Sequence, residues 1–599
     1  MKKTILTTAA VLLAAVGGIA AKQIDIVPRP LFMEVSDSEE FRLSEPLALR
    51  VAVSELLPAA RIFAGQLERI VSFEPDVVCG KAKKGAVNIV LDRKLAAEEY
   101  RVEVSGQRID LTAGSPRGAF HAMQTLRQIA ACCAGEGETV IPALRIEDKP
   151  FFAYRGMMLD VARTWVDAPH VKRYIDLLSY HNINKLHLHL SDDEGWRIEI
   201  RSHPELTEIG GFRGGDSPVR PIYGKWDEKY GGYYTQEQMR ELIAYAAARN
   251  IEIIPEIDLP GHSRNIASVH PEIRCNYRPD TVSTCGYDYR SAWCVAREEN
   301  YALLEDILGE ICDLFPSEYV HVGGDEVDMS QWKRCPDCQA LMAREGMDDP
   351  HRLEDRFMER MSAILRSHGK RTAVWNEAVR TGNLSRDTRV HGWESTRACL
   401  DATAKGYPTI VMPGEYFYFD MRQSPEEAGH NWAGIFDARK VYSFDLEGVG
   451  FSEEQRRHVA GLQGAFWSEL YSAHEPERPD YLDYMLYPRV CALACLAWSG
   501  NGDGWVRYYE ELRTKHYPRM EAMGIRYRLF PPRLVCRDGV CTVTADDGSE
   551  IFYVRDDRPG EEFRYTGPVR TDRPHLFRFF TRRGTGRSPY VADRSYYRT

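Results

Sequence analysis

The chain lacks an excess of positive charge, long hydrophobic runs and stretches of low complexity. Its 599 residues contain 77 Lys and Arg against 88 Asp and Glu, for a net charge of −11. An acidic chain of this kind is a poor general binder of nucleic acid. Hydrophobic residues make up 44% and charged residues 28%, which is ordinary for a folded protein of two to four domains.

The only apolar run near the N-terminus is too short for a membrane span. Lys2 and Lys3 precede apolar residues 5–16 and a series of small residues. This layout predicts a secretory signal peptide over residues 1–21, and an exported protein that is periplasmic, secreted or at the cell surface. An uncleaved anchor helix is the alternative, which the short run disfavours. No cysteine precedes Cys79, which argues against a lipoprotein anchor.

Fourteen cysteines make some disulfides plausible in an exported chain. Cys335 and Cys338 form a lone CxxC, for which a local disulfide is favoured because zinc would need two more ligands at suitable spacing. Cys275, Cys285 and Cys294 lie in one loop, where one pair is expected to form a disulfide. Two further cysteines, one helical turn apart on an apolar face, are expected to be buried thiols: Cys491 and Cys495.

The two ends of the chain predict small accessory domains. Residues 22–150 contain a hairpin at 100–111 followed by a periodic helix at 119–129. This pattern indicates a small accessory domain of mixed helices and strands (α/β, of the α+β type) with a supporting role. Residues 530–599 contain short alternating segments between Asp-Gly and Pro-Gly turns, which predict a small β-sandwich. An excess of Arg after residue 569 indicates a solvated face, with partner or glycan contact as the alternative.

Between these ends, over residues 151–525, strands and helices alternate. Strands are predicted at 155–161, 185–190, 252–257, 319–322, 372–375, 389–393, 409–412 and 462–467, with helices between many of them. Eight such strands predict a (β/α)8 TIM barrel within the α/β class. A doubly wound open sheet is the alternative, but no glycine-rich phosphate turn follows the first strand.

Nearly every predicted strand ends in carboxylates or large aromatic residues, at the rim where barrel active sites form. Aromatic faces stack on sugar rings, and carboxylates bind hydroxyls. Cleavage of a glycosidic bond also needs a proton donor and stabilisation of positive charge at the anomeric carbon. Asp325 and Glu326, at the end of the fourth strand, are the best candidates because neighbouring carboxylates raise each other's pKa. Gly323 and Gly324 can relax the strand so that both side chains enter the pocket.

Five motifs then identify a family. Residues 155–163 (RGMMLDVAR), 184–196 (NKLHLHLSDDEGW), 255–263 (PEIDLPGHS), 321–326 (HVGGDE) and 464–469 (GAFWSE) closely resemble the glycoside hydrolase family 20 β-N-acetylhexosaminidases. The resemblance implies an exo-acting, retaining enzyme that removes terminal β-linked GlcNAc or GalNAc from glycans or chitooligosaccharides. It also implies substrate-assisted catalysis, in which the acetamido oxygen of the substrate attacks the anomeric carbon.

The same resemblance implies a set of site residues. Glu326 is expected to be the general acid/base, and Asp325 to orient the acetamido group and stabilise the oxazolinium-like intermediate. Arg155 is expected to bind the O3 and O4 hydroxyls, with a salt bridge at the bottom of the barrel as the alternative. Tyr418, with Tyr416 as its competitor, is expected to donate to the acetamido oxygen. The remaining expected pocket residues are the walls Trp375, Trp393 and Trp467, the polar groups Asp420, Glu469, Asp192 and His262, and the supporting Asp258.

Several alternatives stay open at this stage. His187 and His189 alternate like metal ligands, but they are more typical of hydrogen-bonded core histidines, so no metal and no cofactor are expected. Two related specificities, release of disaccharides and release of sulfated GlcNAc, also stay open because they depend on the shape of the loops. Other classes are a non-catalytic glycan-binding protein on a hydrolase scaffold and a surface adhesin acting through the C-terminal sandwich. The oligomeric state is left open.

Overall fold

The computed structural model describes residues 24–135, 137–275, 293–471, 481–500 and 504–593. The predicted signal peptide and Cys285 lie outside these ranges. In the described part of the chain, no helix is both long enough and apolar enough to cross a membrane.

The N-terminal region is a seven-stranded sheet covered by two helices. The strands, in the order β1-β7-β5-β6-β4-β2-β3 across the sheet, are β1 (Phe32–Leu43), β2 (Ala48–Val51), β3 (Asp76–Cys79), β4 (Ala86–Leu91), β5 (Tyr100–Ser105), β6 (Arg108–Ala113) and β7 (Thr139–Asp148). Helices α1 (Leu57–Val71) and α2 (Pro116–Cys133) pack on each other and on the sheet. The side chain of Ser115 caps α2 by accepting a hydrogen bond from the Arg117 N–H, and Pro116 occupies the first helical position.

Eight parallel strands close into a barrel, which confirms the predicted fold. They are β8 (Tyr154–Asp160), β9 (Lys185–His189), β14 (Glu252–Leu259), β15 (Tyr319–Gly323), β16 (Arg371–Trp375), β17 (Arg389–Gly392), β18 (Thr409–Val411) and β19 (Val459–Phe466). Between β9 and β14 lie four two-residue strands: β10 (Ser191–Asp192), β11 (Gly195–Trp196), β12 (Phe212–Arg213) and β13 (Tyr230–Gly231). The barrel strands are almost entirely buried, as expected for parallel strands covered on both faces.

The helices of this region surround the barrel and fill its loops. They are α3 (Ala168–Tyr180), α4 (Glu205–Glu208), α5 (Gln236–Ala247), α6 (Arg264–Val269), α7 (Glu298–Leu314), α8 (Pro336–Glu345), α9 (His351–Ser367), α10 (Thr396–Ala404), α11 (Gly414–Phe417), α12 (Ala438–Tyr442), α13 (Glu453–Arg456), α14 (Tyr481–Leu486) and α15 (Arg489–Ser499). Asp167, Thr235 and Ser395 cap α3, α5 and α10 through their side chains.

The C-terminal region carries two small sheets packed face to face. After α16 (Trp505–Glu511) and α17 (Tyr517–Ala522) come β20 (Arg533–Arg537), β21 (Val540–Thr544), β22 (Glu550–Arg555), β23 (Arg558–Arg564), β24 (Val569–Arg570), β25 (Phe577–Arg583), β26 (Gly586–Arg587) and β27 (Val591–Ala592). One sheet holds β20, β21 and β24, and the other is built round β22 and β25. Cys541 and Val543 of the first sheet share a core with Phe577 and Phe579 of the second. The predicted sandwich is therefore present.

Ion pairs account for much of the Arg excess at this end of the chain. Arg578 pairs with Asp556 at 2.7 Å, and Arg582 and Arg587 both pair with Glu562. These side chains are partly exposed, so each pair contributes little to stability. The arrangement is that of a solvated face with balanced charges.

The cysteine predictions have mixed outcomes. The predicted local disulfide between Cys335 and Cys338 is wrong, because both are buried thiols, as are Cys275 and Cys294. A disulfide that was not predicted joins Cys536 to Cys541, which lie opposite each other next to the turn of the β20–β21 hairpin. The prediction of buried thiols is confirmed for two cysteines of α15: Cys491 and Cys495.

A buried ion pair joins the N-terminal domain to the barrel at the end where the strands begin. Arg155, in the second position of β8, is fully buried and lies 2.9 Å from the Glu98 carboxylate, which precedes β5. Its guanidinium also lies over the Trp498 ring, 4.9 Å from the centroid. Although burial opposes it, hydrogen bonding and charge from His121 and Arg155 hold the pKa of Glu98 below its ordinary range.

This pair gives a test of stability. Replacement of Arg155 by Met leaves the Glu98 carboxylate with His121 but without its permanent cation, so we expect a loss of about 3–5 kcal/mol in the free energy of unfolding. Arg145→Met is the matched control, because its pair with Glu147 is exposed and should change stability by no more than about 0.5 kcal/mol. Urea denaturation of both variants measures the difference. Equal losses would contradict the role of the buried pair.

Candidate active site

The carboxyl ends of the barrel strands bring polar and aromatic side chains into one pocket. Strand β14 carries Asp258, β15 is followed by Asp325 and Glu326, and β16 ends in Trp375. Six further side chains that follow strand ends complete the pocket: Asp192, Trp393, Tyr418, Asp420, Trp467 and Glu469. This convergence is what closure of a parallel barrel imposes on residues that are far apart in the chain.

The backbone after β15 turns so that two adjacent carboxylates face one imidazole. Gly323, Gly324 and Glu326 have φ angles of +66°, +93° and +48°, which interrupt the extended strand. On a regular strand, neighbouring side chains point to opposite faces. Here His262 Nε2 lies 3.6 Å from Asp325 Oδ2 and 3.4 Å from Glu326 Oε2. Asp325 is buried, whereas the side chain of Glu326 is 59% exposed at the pocket opening.

Asp258 lies directly beneath this turn. It is 2% exposed, and a Cβ atom placed on Gly323 would overlap its Oδ1 atom. Gly323 is thus needed both for its left-handed backbone and for the close approach of the carboxyl group. Burial and the neighbouring charge of Asp325 raise the pKa of Asp258 well above its usual range.

The two adjacent carboxyl groups have different proton affinities. Burial raises the pKa of Asp325 to about 6, although the charge of His262 opposes the shift. The hydrogen bond from His262 lowers the pKa of Glu326. Burial disfavours the cationic form of His262, but Asp192 and Asp325 outweigh it and raise the imidazole's pKa well above its ordinary value. Carboxyl groups with raised and with lowered pKa values therefore surround one imidazole whose cationic form they favour.

The arginine of the pocket is Arg163, which follows β8. Its Nη2 lies 2.7 Å from Asp192 Oδ2, and its Nη1 lies 3.4 Å from Asp160 Oδ2. Its guanidinium also lies over the Trp467 ring, 4.9 Å from the centroid. Burial alone raises the pKa of Asp192, but Arg163 and His262 together hold it below its ordinary range.

The expectation that Arg155 binds sugar hydroxyls is wrong. Arg155 stands at the start of β8, whereas the pocket forms where the barrel strands end. Its guanidinium is occupied by Glu98 and by the carbonyl oxygens of Phe152 and Asn182. In the motif RGMMLDVAR, the first arginine therefore supports the domain interface and the second enters the pocket.

Aromatic rings form one wall of the pocket. Trp393 stacks on Tyr418 with centroids 6.0 Å apart and planes 12° from parallel, and Tyr418 lies 6.0 Å from Trp467. Trp375 lies 5.9 Å from Trp467. Trp432, which is 54% exposed, packs edge-on against both Trp393 and Tyr418. These rings give the pocket an apolar wall on which the apolar face of a sugar or its substituent can pack.

The choice between Tyr416 and Tyr418 follows from their neighbours. Tyr416 packs on Phe444, with centroids 5.1 Å apart, and Lys440 Nζ lies 3.8 Å from its ring centroid. These contacts direct it toward helix α12. Tyr418 is buried among the pocket tryptophans, so it is the tyrosine that the structure places in the site.

Three more acids line the aromatic wall and its surroundings. Glu377 accepts a hydrogen bond from Trp393 Nε1 at 2.8 Å, and burial raises its pKa to about 8. Burial and the charge of Glu469 raise the pKa of Asp420 to about 7. Burial acts in the same direction on Glu469, but Arg163 and His430 lower its pKa below the ordinary value. The pocket therefore contains carboxyl groups with a wide range of proton affinities.

A carboxylate inside the barrel holds the histidines of β9. Glu256 Oε2 lies 3.0 Å from His187 Nε2 and 2.7 Å from His189 Nδ1, and Glu256 Oε1 lies 3.1 Å from His321 Nδ1. His189 also contacts Asp192 at 2.7 Å. His187 thus lies beside two side chains of the kind that bind metals, Glu256 and His321, which the sequence alone did not predict. The contacts of these histidines with Glu256 and Asp192 fit the expected role of hydrogen-bonded core histidines.

Four pocket residues had no role predicted for them. Arg163 and Glu377 stand at predicted strand ends, so their position was a usable signal. Trp432 and His430 lie in the long loop between β18 and β19, far from any strand end, and no spacing rule points to them. They reach the pocket because Trp432 packs against Trp393 and His430 approaches Glu469 at 3.7 Å.

Comparisons with known proteins agree with this geometry. The model of the glycosyl hydrolase family 20 catalytic domain matches residues 152–501, and that of family 20 domain 2 matches residues 23–149. A beta-hexosaminidase of Vibrio furnissii is 37% identical over 481 residues, which are 79% of this chain and 76% of the relative.

Solved structures give the same result. The crystal structure of a GH20 exo beta-N-acetylglucosaminidase from Vibrio harveyi in complex with N-acetylglucosamine has a TM-score of 0.77 and 35% identity, covering 84% of this chain and 78% of that chain. A Streptomyces plicatus N-acetyl-beta-hexosaminidase has a TM-score of 0.72 and 28% identity, covering 85% of this chain and 97% of that chain.

A pocket of carboxylates and aromatic rings at the carboxyl rim of a closed barrel defines a sugar-cleaving barrel enzyme. The family matches make this specific. The chain belongs to glycosyl hydrolase family 20, and the prediction that it is a glycoside hydrolase of the β-hexosaminidase kind is confirmed.

The close approach of Asp258 to Gly323 gives a test of the turn. Gly323→Ala and Gly346→Ala each place a Cβ on a left-handed residue, with φ angles of +66° and +65°, at a shared cost of about 1–2 kcal/mol. Only Gly323→Ala also clashes with a buried carboxyl group, whereas Gly346 has open space around it. We expect Gly323→Ala to lose about 1–3 kcal/mol more in urea denaturation. Hydrolysis should fall in Gly323→Ala alone, and equal behaviour of the two variants would contradict the assignment.

Proposed function

We propose that the protein is an exo-acting, retaining β-N-acetylhexosaminidase that removes terminal β-linked GlcNAc or GalNAc by substrate-assisted catalysis. One observation carries the proposal: two adjacent carboxyl groups, Asp325 and Glu326, face a shared imidazole in a pocket walled by aromatic rings. The two groups lie close enough together to act on one anomeric carbon, as acid catalysis and charge stabilisation together require. The similar structures support the class of sugar, since the Vibrio harveyi enzyme was crystallised in complex with N-acetylglucosamine.

In this mechanism, Glu326 is the general acid and then the general base. It gives its proton to the glycosidic oxygen as the bond from that oxygen to the anomeric carbon breaks. The acetamido oxygen of the substrate forms the replacement bond, which leaves a cyclic oxazolinium ion. Water then adds at the anomeric carbon from the side that the leaving group vacated and gives its proton to Glu326, while the bond from the anomeric carbon to the acetamido oxygen breaks and the acetamido group is restored. Two inversions yield net retention.

Asp325 supplies the charge that this cyclic ion needs. Its carboxylate is buried, so its attraction to a positive group is stronger than it would be in water. An acetamido N–H can donate to it, which fixes the nucleophilic oxygen near the anomeric carbon. We propose that Trp375, Trp393, Tyr418 and Trp467 enclose the acetamido methyl group.

We propose that the polar end of the pocket binds the ring hydroxyls. Arg163 offers guanidinium N–H donors, and Asp192 and Glu469 offer acceptors on either side of it. Charged donors and acceptors held in place by burial recognise hydroxyl pairs with high selectivity. Arg163 takes the role that the resemblance had assigned to Arg155.

The roles of the two carboxyl groups can be separated by the leaving group. Glu326→Gln should lose about 10²–10⁴-fold in kcat/KM on chitobiose, and less on p-nitrophenyl β-GlcNAc, because p-nitrophenolate leaves without a proton. Asp325→Asn should lose about 10²–10³-fold on both substrates, since the oxazolinium ion forms from each. Glu318→Gln, at the opposite end of β15, is the matched control. Equal losses of Glu326→Gln on both substrates would contradict its role as acid.

Wild-type turnover also tests the proposal as a whole. The enzyme should release p-nitrophenol from the β-GlcNAc or β-GalNAc glycoside, and NMR of the first product should show the β-anomer. If neither glycoside turns over, nor chitobiose, the proposed function is wrong. Turnover only of a chitobioside or of a 6-sulfated GlcNAc glycoside would replace it with a related specificity.

The pKa of Asp325 predicts the acid limb of the pH profile. The group works as an anion, so kcat/KM should be full above its pKa of about 6 and fall as the pH drops through that value. The charge of His262 lowers this pKa, so His262→Asn should move the acid limb to higher pH. His270→Asn is the control, because His270 contacts Glu205 and Glu272. An unmoved limb in His262→Asn would contradict the assignment of Asp325.

A further inference from the structure

Four buried cysteines lie close together in the two segments that follow strands β14 and β15. Cys275 precedes residues 276–292, which lie outside the described part of the chain, and Cys294 follows them. Cys335 and Cys338 belong to the CxxC at the start of helix α8. All four are at most 5% exposed, and their sulfur atoms lie within 4.8 Å of one another.

The distances between these sulfur atoms are those of a tetrahedron around a metal ion. Cys275 Sγ lies 3.8 Å from Cys338 Sγ, and Cys294 Sγ lies 3.8 Å from Cys338 Sγ and 3.9 Å from Cys335 Sγ. Zinc bound to four thiolates has Zn–S bonds of about 2.3 Å, so the tetrahedral edge is about 3.8 Å. Two disulfides would instead give two bonded pairs and longer distances between the pairs.

We propose that Cys275, Cys294, Cys335 and Cys338 bind one structural zinc ion. Zinc requires four ligands, and the CxxC alone supplies two; the fold brings the other two from a loop at least 41 positions earlier in the chain. Binding replaces four S–H bonds by four Zn–S bonds and releases four protons. It needs no oxidant, whereas each disulfide would. A closed set of four thiolates leaves no position for water, so the ion has no place in the hydrolytic step.

The backbone around the cluster holds its ligands in fixed positions. The Cys294 N–H donates to the Ile273 carbonyl oxygen at 2.8 Å, which pins the two cysteine segments together. Asn300 Nδ2 donates to the carbonyl oxygens of both residues, at 2.8 and 3.0 Å. Cys335 also stands at the N-terminus of α8, where the helix dipole favours a thiolate. Hydrogen bonds of this kind, around the ligands of a metal site, hold the ligands in the orientation that binding requires.

A chain of hydrogen bonds leads from the cluster to the catalytic pocket. Trp332 Nε1 donates to the Trp293 carbonyl oxygen at 2.8 Å, and Trp293 Nε1 donates to Ser263 Oγ at 3.0 Å. Ser263 follows His262, which contacts Asp325 and Glu326. Zinc would thus fasten the loop after β15, which carries the acid, to the loop after β14, which carries the imidazole. Its four ligands act as positioning residues.

Metal analysis of the wild-type protein tests the site directly. The full chain, purified without a metal-affinity tag and dialysed, should contain about one zinc per molecule by plasma mass spectrometry. Denaturation with a chelator and an alkylating agent, without reductant, should label all four cysteines. Protein that is free of zinc, iron in its place, or any disulfide among the four would each overturn the proposal. None of these measurements depends on hydrolysis of a sugar.

A matched pair of variants tests the link to the pocket. Cys294→Ser should lose the zinc, and Cys312→Ser, a buried thiol of helix α7 outside the cluster, should keep it. Loss of zinc should lower kcat by on the order of tenfold or more, with a smaller change in KM, because the acid is displaced while the sugar-binding residues stay. If Cys294→Ser does not fold, chelator-treated wild type gives the same comparison. Retained zinc in Cys294→Ser would overturn the ligand set, and unchanged kcat without zinc would overturn the positioning role.

Discussion

The pairing of the last barrel strand with the first is the constraint on which the rest of the structure depends. Strands β19 and β8 pair in parallel from Gly461 opposite Tyr154 to Phe466 opposite Leu159, across about 300 residues of chain. Closure places Ser468 beside Asp160, and the Ser468 N–H donates to that carboxylate at 3.0 Å. Without this ladder the strand ends would spread along an open sheet, and the acids and tryptophans would not share a pocket.

The pocket concentrates negative charge, and a few cations make this possible. Burial of an unpaired carboxylate is costly, so each buried acid has either a cation or a raised pKa. Arg163 stabilises Asp192 as an anion, and His189 does the same for Glu256. Asp258 and Asp325 have fewer compensating partners, and their pKa values rise. The same neighbours therefore determine which groups carry charge and which exchange protons near neutral pH.

Much of the fold was predictable because parallel strands buried on both faces leave continuous apolar runs. All eight predicted barrel strands overlap the observed ones, and their polar ends marked the rim. The role of Arg155 was mispredicted although the predicted strand 155–161 begins at this residue: the motif contains two arginines, and only Arg163, which follows the strand, reaches the rim. The cysteine cluster was not predictable either, since four cysteines drawn from two loops have no fixed spacing. The place of Trp432 in the pocket was also not predictable, because its loop folds back over the rim from far along the chain.

The exposure of Glu326 in the free pocket has a consequence for the timing of proton transfer. With 59% of its side chain open to solvent and His262 beside it, this carboxyl group favours its anionic form. A ligand that covers it removes water, and removal of water raises the pKa of a carboxyl group. In the proposed mechanism, a bound substrate would therefore favour protonation of Glu326, which is the state that cleavage of its own glycosidic bond requires.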